Sequence, residues 1–327
     1  MKAHHIGLIS GIYFICLFIH LAFYYSSGEG DSSQTVMIQP GLSNTAIARE
    51  IQNYKLIPSS ALFVLYLSLS DQNQLIAGSY LIGENETIAQ IVNKLVEGRF
   101  FRVKVTFPEG STSEQMSALL EKMGICSGES YRNIVQRPEL FERSWLKGVT
   151  SLEGYLFPDT YYFPLKVDSR QIVETQLRRF EELYPGDLHA ENPQKIHEGV
   201  ILASIVEREA KEKTEKPLVA SVFFNRLKSN MKLESCATVI YAWNHEKGIQ
   251  IKSLSLDDLK IQSPYNTYIH PGLPPAPISN PGLDSLQAVI QPTQSDYLYF
   301  VLAENGFHYF SKTYDEHLKN KKKNTTP

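Results

Sequence analysis

Two glutamates near the middle of the chain have the spacing of an acid–base site on a helix. The segment Ile201–Ala210 reads ILASIVEREA, and its apolar residues recur with a helical period. At about 100° per residue, Glu209 falls about 80° from Ile201, inside the apolar stripe, and Glu207 falls at about 240°, on the opposite side. Burial raises the pKa of a carboxyl group, so Glu209 could keep a proton near neutral pH and donate it to a leaving oxygen. The alternative is a buried Glu209 that is paired with a cation such as Arg226.

The spacing of the cysteines and histidines gives no support to metal or redox chemistry. Cys16, Cys126 and Cys236 form no C-x-x-C pair, and the nine histidines form no H-x-H or H-x-x-x-H pair. We therefore expect no metal and no cofactor. A Cys126–Cys236 disulfide stays open as an alternative in an oxidising compartment. The formal net charge of -3 does not indicate a nucleic-acid partner.

The N-terminal segment Ile6–Tyr25 has the length and composition of a membrane anchor. It contains no Asp, Glu, Lys or Arg, and a helix of about 20 apolar residues spans a bilayer core. Lys2 precedes the segment, and Glu29 and Asp31 follow it. This asymmetry predicts a cytoplasmic N-terminus, with the rest of the chain outside the inner membrane. A cleaved signal peptide is less favoured, because the run is long and no A-x-A site follows it.

Short β–α units follow the N-terminal segment. Twice in this region, a strand pattern is followed by a helix pattern. Ser43 is the predicted N-cap of the first of these helices, and Ser111 or Thr112 is the predicted N-cap of the second. Another unit lies between them and ends at Gly98. The predicted strands are Thr35–Ile38, Gln74–Ile82 and Val103–Phe107, and the predicted helices are Thr45–Tyr54, Glu86–Val96 and Ser113–Met123. The pattern predicts a small α/β module over residues 35–100.

The second half of the chain is richer in helix patterns. They cover Ser169–Leu183, Pro193–Glu212 and Pro217–Lys228. Residues 264–281 contain six prolines, too many for regular structure, so we expect an ordered loop there. Two β-like runs around Asn305-Gly306 predict a hairpin formed by Tyr297–Leu302 and Phe307–Phe310. The basic run Lys319–Lys323 reads as a solvated tail, and the expected fold class is α+β.

Five longer strings carry a resemblance to a known family. The chain resembles the endolytic murein transglycosylases, the YceG-like or MltG family, in LEGYLFPDTYYF (Leu152–Phe163), ASIVEREA (Ala203–Ala210), VASVFFNRL (Val219–Leu227), ATVIYA (Ala237–Ala242) and SPYNTYIHPGLPPAPISNPG (Ser263–Gly282). Their order and spacing match from about residue 35 to residue 318, and the family also carries an N-terminal anchor.

The resemblance implies a lytic transglycosylase, a lyase that cuts within peptidoglycan glycan strands at the MurNAc–GlcNAc bond. Its product is a 1,6-anhydro-MurNAc end, and its cut terminates the elongation of nascent strands. The family's catalytic glutamate is the second of the E-x-E string, which is Glu209 here, in agreement with the helical-face argument. Many members carry Asp-Pro or Asp-Ala where this chain has Cys236-Ala237. That departure puts a sugar-binding role for the Asp position in doubt.

The same resemblance implies the domain organisation and the partners. It implies a LysM-like module, and a catalytic domain in which a lysozyme-like helix carries the acid. The expected parts are a cytoplasmic N-terminus (1–5), a transmembrane helix (6–25), a linker (26–34), the LysM-like module (35–100), the catalytic domain (101–318) and a basic tail (319–327). Cell-wall synthases or divisome proteins are the implied protein partners, and peptidoglycan strands are the implied substrate.

Polar and aromatic residues in the family strings are candidates for substrate binding. Tyr265, Asn266 and Tyr268 offer hydrogen bonds and stacking faces to sugar rings. Loop packing is the alternative for the two tyrosines. Asn225 and Arg226 could fix the geometry from the neighbouring helix, although a helix-end salt bridge is equally open for Arg226.

Two acidic residues of the first family string are candidates for the wall of a cleft. They are Glu153 and Asp159, and a turn or cap role is the alternative for Asp159.

Two other functions compete with lytic cleavage. A non-catalytic scaffold would bind peptidoglycan and release nothing from it, because a fold does not guarantee chemistry. A hydrolytic muramidase would need a second carboxylate to activate water, and the sequence shows no evident one. A protease is not supported, because no Ser/His/Asp or Cys/His string stands out.

Overall fold

The structure is a computed structural model that describes residues 23–24, 32–72, 74–251 and 254–323. The chain divides into two compact units. Unit 1 comprises Met1–Val103 with Tyr162–Leu165, and unit 2 comprises Lys104–Tyr161 with Lys166–Pro327. The described residues contain many helices and three short two-stranded sheets, so the mixed α+β class is confirmed.

Unit 1 is built on an antiparallel pair of strands. The pair is β1 (Ser33–Ile38) and β2 (Gly78–Gly83), with Val36 opposite Tyr80. The helices of the unit are α1 (Asn44–Asn53), α2 (Ser60–Ser70) and α3 (Ile88–Val96). Side chains from all five elements form one apolar core that includes Val36, Ile51, Phe63, Tyr80 and Val92. Burial of this apolar surface holds the small unit together.

Side chains cap two of the three helices of unit 1, and the cap of α1 is the predicted one. Ser43 Oγ accepts the N–H of Ala46 at 3.3 Å, as expected for the N-cap of α1. Thr87 and Gln90 form a reciprocal capping box at the start of α3. The sequence pattern does not predict α2, because its residues are apolar almost throughout and show no period.

Unit 2 contains most of the helices. Its elements are α4 (Ser113–Lys122), α5 (Gly128–Val135), α6 (Ser169–Leu183), α7 (Pro193–Glu209), α8 (Lys216–Lys228), α9 (Cys236–Lys247), α10 (Leu283–Ile290), β5 (Tyr299–Leu302), β6 (His308–Ser311) and α11 (Tyr314–Lys323). Strands β3 (Arg102–Thr106) and β4 (Thr160–Pro164) each contain residues of both units. Strand β3 pairs with β4, and β5 pairs with β6. Helix α7 packs against α8, α9 and α10, so it is the central helix of this group.

Several predicted elements of unit 2 are confirmed. Thr112 caps α4 in a capping box with Gln115, and α6 has the predicted bounds. The β5–β6 hairpin encloses Asn305-Gly306. The stretch 261–282 contains no helix or strand, as its prolines predict. The basic run Lys319–Lys323 is not a separate tail, because it forms the last half of α11.

The expected membrane anchor is not part of what the structure describes. Residues 6–22 and Tyr25 lie outside the described residues, as does Cys16. Among the helices that are described, none combines the length and the apolar character that crossing a bilayer requires.

Candidate active site

Glu209 is the last residue of α7, and the stretch of this helix that directly precedes Glu207 is buried on every side. All six residues Ile201–Val206 are buried, because α7 packs against neighbouring helices on more than one face. The helix ends because Ala210 adopts an extended backbone, with φ −109° and ψ 116°. The Glu209 side chain therefore extends from the end of a rigid apolar helix.

Neutral groups at the start of α9 hold the Glu209 carboxyl. Ser235 Oγ donates a hydrogen bond to Glu209 Oε1 at 2.5 Å, and the N–H of Ala237 approaches the same oxygen at 3.5 Å. Burial raises the pKa of Glu209, and these two hydrogen bonds and the positive charges of His308 and Arg208 lower it by less. Glu209 therefore keeps its proton to a higher pH than an exposed glutamate, which suits a general acid.

Glu207, which the sequence places opposite the apolar stripe, is also buried. Its side chain is only 8% exposed and forms an ion pair with Lys216, whose Nζ lies 3.0 Å from Glu207 Oε2. The N–H of Gly282 and the hydroxyl of Ser285 donate to the same carboxylate, at 3.0 and 2.7 Å. The apolar stripe cannot separate the two glutamates, because α7 is covered on both sides. They are distinguished by their partners, since Glu207 faces a cation and Glu209 faces neutral donors.

Arg226 does not neutralise Glu209 in the way that the sequence leaves open. Its Nη1 lies 3.1 Å from Glu234 Oε2, and the guanidinium also donates to the carbonyls of Leu233 and Leu298, at 3.0 and 2.7 Å. The cation therefore ties the end of α8 to the strand region before β5. It still lines the same cavity as Glu209.

The cavity in front of Glu209 has a volume of about 500 Å³. It brings together two of the predicted site residues with Glu209, namely Tyr268 and Arg226. Cys236 also lines it, with its Sγ 3.1 Å from Tyr268 Oη. A half-buried carboxyl, a tyrosine and a mixed polar wall around an open space of this size can accommodate sugar units.

A second cavity has a volume of about 590 Å³, and two more of the predicted binding residues line it. These residues are Glu153 and Tyr265. Tyr241 packs against Tyr265 at a tilted angle, with 4.9 Å between the ring centroids, and His245 stacks on Tyr241. The wall thus combines aromatic rings with polar side chains, the composition that suits carbohydrate.

Glu153 is held more tightly than a free catalytic acid would be. Ser113 donates to it through the backbone N–H at 3.0 Å and the hydroxyl at 2.6 Å, and Asn280 Nδ2 donates at 2.6 Å. Its carboxyl therefore closes the N-terminal end of α4. Burial nevertheless raises the pKa of Glu153 to about 7, against the lowering effect of these hydrogen bonds.

The remaining predicted site residues are engaged within the protein. Asn266 is fully buried, and its amide donates to the carbonyls of Leu259 and Ile261, both at 2.9 Å. Asn225 Nδ2 donates to the carbonyls of Ser295 and Tyr297, at 2.8 and 2.9 Å. Both asparagines hold loops in place, because their amide hydrogens are used by backbone groups.

Asp159 is likewise engaged within the protein. Its Oδ2 pairs with Arg179 Nε at 2.8 Å, and its Oδ1 accepts the N–H of Thr160 at 2.7 Å. The ion pair and the turn contact account for both of its oxygens.

Sequence reasoning missed three residues of the Glu209 site. They are Ser235, Glu215 and His308. The one available signal was the alternation of the predicted hairpin, which places His308 and Phe310 on the same face. Nothing in the sequence spacing links that face to Glu209, because the contact is between residues far apart in the chain.

The cysteines and possible metal ligands were also located. Cys126 and Cys236 are free thiols, so the open alternative of a disulfide between them is not realised. Across the described residues, no group of three or more His, Cys, Asp or Glu side chains is arranged to hold a metal ion.

The chain is similar to known proteins over most of its length. The model of the YceG-like family matches residues 36–323. The chain is similar to the endolytic murein transglycosylase of Bacillus subtilis (strain 168), with 34% identity over 316 residues that cover 90% of this chain and 86% of the relative. It is similar to the endolytic murein transglycosylase of Streptococcus pneumoniae (strain R6), with 28% identity over 318 residues and 88% of this chain. The chain spans 57% of the length of the pneumococcal relative.

A solved structure is similar over nearly the same extent. The 2.6 Å crystal structure of a yceG-like protein from Listeria monocytogenes superimposes with a TM-score of 0.58 and 32% sequence identity. The match covers 89% of this chain and 99% of the Listeria chain.

Proposed function

The chain belongs to the YceG-like family, and on that premise we propose that it is a peptidoglycan lytic transglycosylase with Glu209 as its acid and base. The observation that carries the proposal is the environment of Glu209. Its carboxyl lies at the wall of a cavity, burial raises its pKa, and its hydrogen-bond donors among the described residues are neutral. Such a group can hold a proton and then release it, which an ion-paired carboxylate such as Glu207 cannot.

The proposed reaction uses Glu209 twice. In the first step, protonated Glu209 donates its proton to the glycosidic oxygen as the bond from the MurNAc anomeric carbon to that oxygen breaks. Positive charge develops on the anomeric carbon. In the second step, the MurNAc 6-hydroxyl attacks that carbon and gives its proton to the Glu209 carboxylate. The product is a 1,6-anhydro-MurNAc end, no water is consumed, and Glu209 is restored to its protonated form.

A second carboxylate on the wall of the cavity makes hydrolysis the competing reaction. Glu234 lines the same cavity as Glu209, and its side chain is 49% exposed. An inverting hydrolase would use such a residue to activate water. The ion pair with Arg226 Nη1 at 3.1 Å favours a structural role for Glu234, because a carboxylate that is paired with a cation is a weaker base for activating water. The mass of the product separates the two reactions.

The proposed binding surface divides between the two cavities. Tyr268 is assigned to the sugar next to the cleaved bond, because it shares the cavity with Glu209. Tyr265 and Glu153 are assigned to a more distant part of the strand, since they line the second cavity. Asn225, Asn266 and Arg226 are assigned to shaping these walls through the loops they hold.

The remainder of the proposal concerns placement in the cell. We assign residues 6–25 to a membrane anchor, 26–34 to a linker, 35–100 to a LysM-like module, 101–318 to the catalytic domain and 319–327 to a basic C-terminal segment. The catalytic domain would work on the outer face of the cytoplasmic membrane. There it would cut within nascent strands, end their elongation, and meet cell-wall synthases or divisome proteins.

Digestion of purified sacculi by the full chain tests this function. We expect soluble fragments that end in 1,6-anhydro-MurNAc, identified by mass spectrometry. Fragments heavier by one water with a reducing end would assign the protein to the hydrolases instead. Binding to sacculi without any released fragment would identify a scaffold and overturn the proposal.

A further inference from the structure

The Glu209 cavity contains a second well-ordered group whose role the proposed reaction does not explain. His308, the first residue of β6, lines the cavity together with Glu209. Its side chain is 5% exposed. Such burial of an imidazole is costly unless its nitrogen atoms are used.

One side of the imidazole is fixed by Glu215. His308 Nδ1 lies 2.8 Å from Glu215 Oε2, and the backbone N–H of His308 donates to Glu215 Oε1 at 2.8 Å. Glu215 is itself buried, with a side-chain exposure of 9%, in the turn that joins α7 to α8. The carboxylate therefore holds both the strand and the ring, and it keeps a proton on Nδ1.

The other side of the ring is directed to the cavity. Phe300 packs edge-on against the imidazole at 5.3 Å, and Phe310 lies 6.3 Å from it. Since Nδ1 faces Glu215 and the aromatic rings flank the imidazole, the Nε2 edge is the part that remains to line the cavity. A nitrogen at that position can bind an oxygen of a ligand next to Glu209.

We propose that His308, held by Glu215, is a second substrate-binding group of the active site, with Nε2 hydrogen-bonded to an oxygen of the sugar at the cleaved bond. This inference rests on the proposed function and names the side chain that positions the sugar relative to Glu209. The turn Lys213–Glu215 lies between α7 and α8, so the anchor of the histidine precedes α8 directly and is six residues beyond the acid in the chain. The C-terminal hairpin thus supplies part of the site.

The electrostatic effect of His308 gives an independent readout. In its protonated form, His308 is one of the influences that lower the pKa of Glu209. The other titratable groups facing the cavity are the ion-paired Arg226 and Glu234, then Cys236 and Tyr268, and finally Tyr314, His317 and Lys321 of α11. All of them stay in place when His308 alone is changed.

The test uses two substitutions, each of which keeps a hydrogen-bonding group near one of the two imidazole nitrogens and removes the other. His308→Asn retains an N–H near Nδ1 for Glu215 and removes Nε2, whereas His308→Gln places an amide near Nε2 and gives up the contact with Glu215. His189→Gln is the matched control, because His189 is exposed on a loop of unit 2. The rate of anhydro-muropeptide release from sacculi is measured for the full chain across a range of pH.

We expect His308→Asn to fold and to lose activity by about 100-fold, the usual cost of removing one preorganised hydrogen-bond partner. His308→Gln should recover part of that loss, and His189→Gln should match the wild type. In His308→Asn the alkaline limb of the pH profile should move to higher pH, because the charge that lowers the pKa of Glu209 is gone. Wild-type rate with an unmoved limb in His308→Asn would show that His308 only fastens the hairpin.

A second measurement covers the case in which His308→Asn does not fold. Glu209→Gln protein with ¹⁵N-labelled histidine is titrated with unlabelled glycan strands, and the Nε2 resonance of His308 is followed. A shift at Nε2 is expected, and no shift at saturating glycan would overturn the inference. If Glu209→Gln loses activity and His308→Asn keeps full activity, the inference about His308 is rejected and the proposed function stands. Full activity in both variants would reject the proposed function itself.

Discussion

Ser235 Oγ donates a hydrogen bond to Glu209 Oε1 at 2.5 Å, from the residue that precedes α9. The end of one helix and the start of another are thereby joined through the proposed acid. The electropositive start of α9 and the hydroxyl both favour the ionised form of Glu209, while burial favours the protonated form. Because burial has the larger effect, the carboxyl is poised to give up a proton and to take one back.

Removal of the Ser235 hydroxyl should shift the pH dependence of activity. In Ser235→Ala the pKa of Glu209 loses one of its lowering influences and rises. Since the first step needs protonated Glu209, the alkaline limb of the pH–rate profile should move to higher pH. Ser255→Ala, an exposed serine in unit 2, is the control. An unchanged limb in Ser235→Ala would contradict the assigned role of this hydrogen bond.

Loss of the Glu207 carboxylate should damage the fold. In Glu207→Gln the buried Lys216 loses its counter-charge, and breaking a buried ion pair costs about 3–5 kcal/mol of the free energy of unfolding. Denaturant titration measures this loss. Glu212→Gln, an exposed glutamate five residues on, should change the same quantity by less than about 0.5 kcal/mol. Equal stability of the two variants would argue against the structural role of Glu207.

Burial of Glu153 should make the stability of the protein depend on pH. The pKa of Glu153 is about 7 in the folded protein, whereas an unperturbed glutamate has a pKa of 4.5. The folded state therefore binds the proton more tightly than the unfolded state does. The resulting stability is complete below about pH 4.5 and is lost as the pH rises through about 7, by about 3 kcal/mol in all. Unfolding titrations of the wild type and Glu153→Gln from pH 5 to 8 measure it. A constant difference between them would refute this prediction.

Close packing at Gly154 should make it intolerant of a side chain. Gly154 has φ +93°, and an added Cβ would lie 2.5 Å from Pro277 Cγ and 2.8 Å from Val200 Cγ1. Gly148 has φ +85°, and no atom lies within 4 Å of a Cβ added there. Gly148→Ala is therefore a control that has the same kind of backbone strain as Gly154→Ala but no steric clash. Gly154→Ala should be less stable than Gly148→Ala by about 1–3 kcal/mol in thermal or denaturant unfolding. Equal stability would show that the loop yields freely.

Local chemistry made much of the fold predictable. Ser43 and Thr112 cap their helices as expected, and Asn305-Gly306 turns the predicted hairpin. These features depend on residues within a few positions of each other. Helix α2 was not predictable in this way, because an apolar run without a period fits a helix or a strand equally well.

The candidate site was predictable only in part. The apolar stripe of α7 pointed to Glu209, but it could not show that Glu207, which falls opposite the stripe, is buried as well, because a central helix has no polar face to reveal. Asn225 and Asn266 have the residue type of sugar-binding groups, yet their amides serve backbone carbonyls, those of Asn225 from a loop 70 residues away and those of Asn266 from its own loop. His308 and Glu215 meet across 93 positions of the chain. Contacts of that range follow from the fold and leave no trace in local spacing.

The most direct test of the central claim is the release of anhydro-muropeptides by Glu209→Gln, measured by mass spectrometry with purified sacculi and the full chain. The substitution keeps the size of the side chain and a hydrogen bond to Ser235, so the variant should unfold at the same temperature as the wild type. Release should fall by at least about 100-fold, the usual contribution of a general acid and base, while Glu212→Gln stays at the wild-type rate. Release at the wild-type rate by Glu209→Gln would contradict the account.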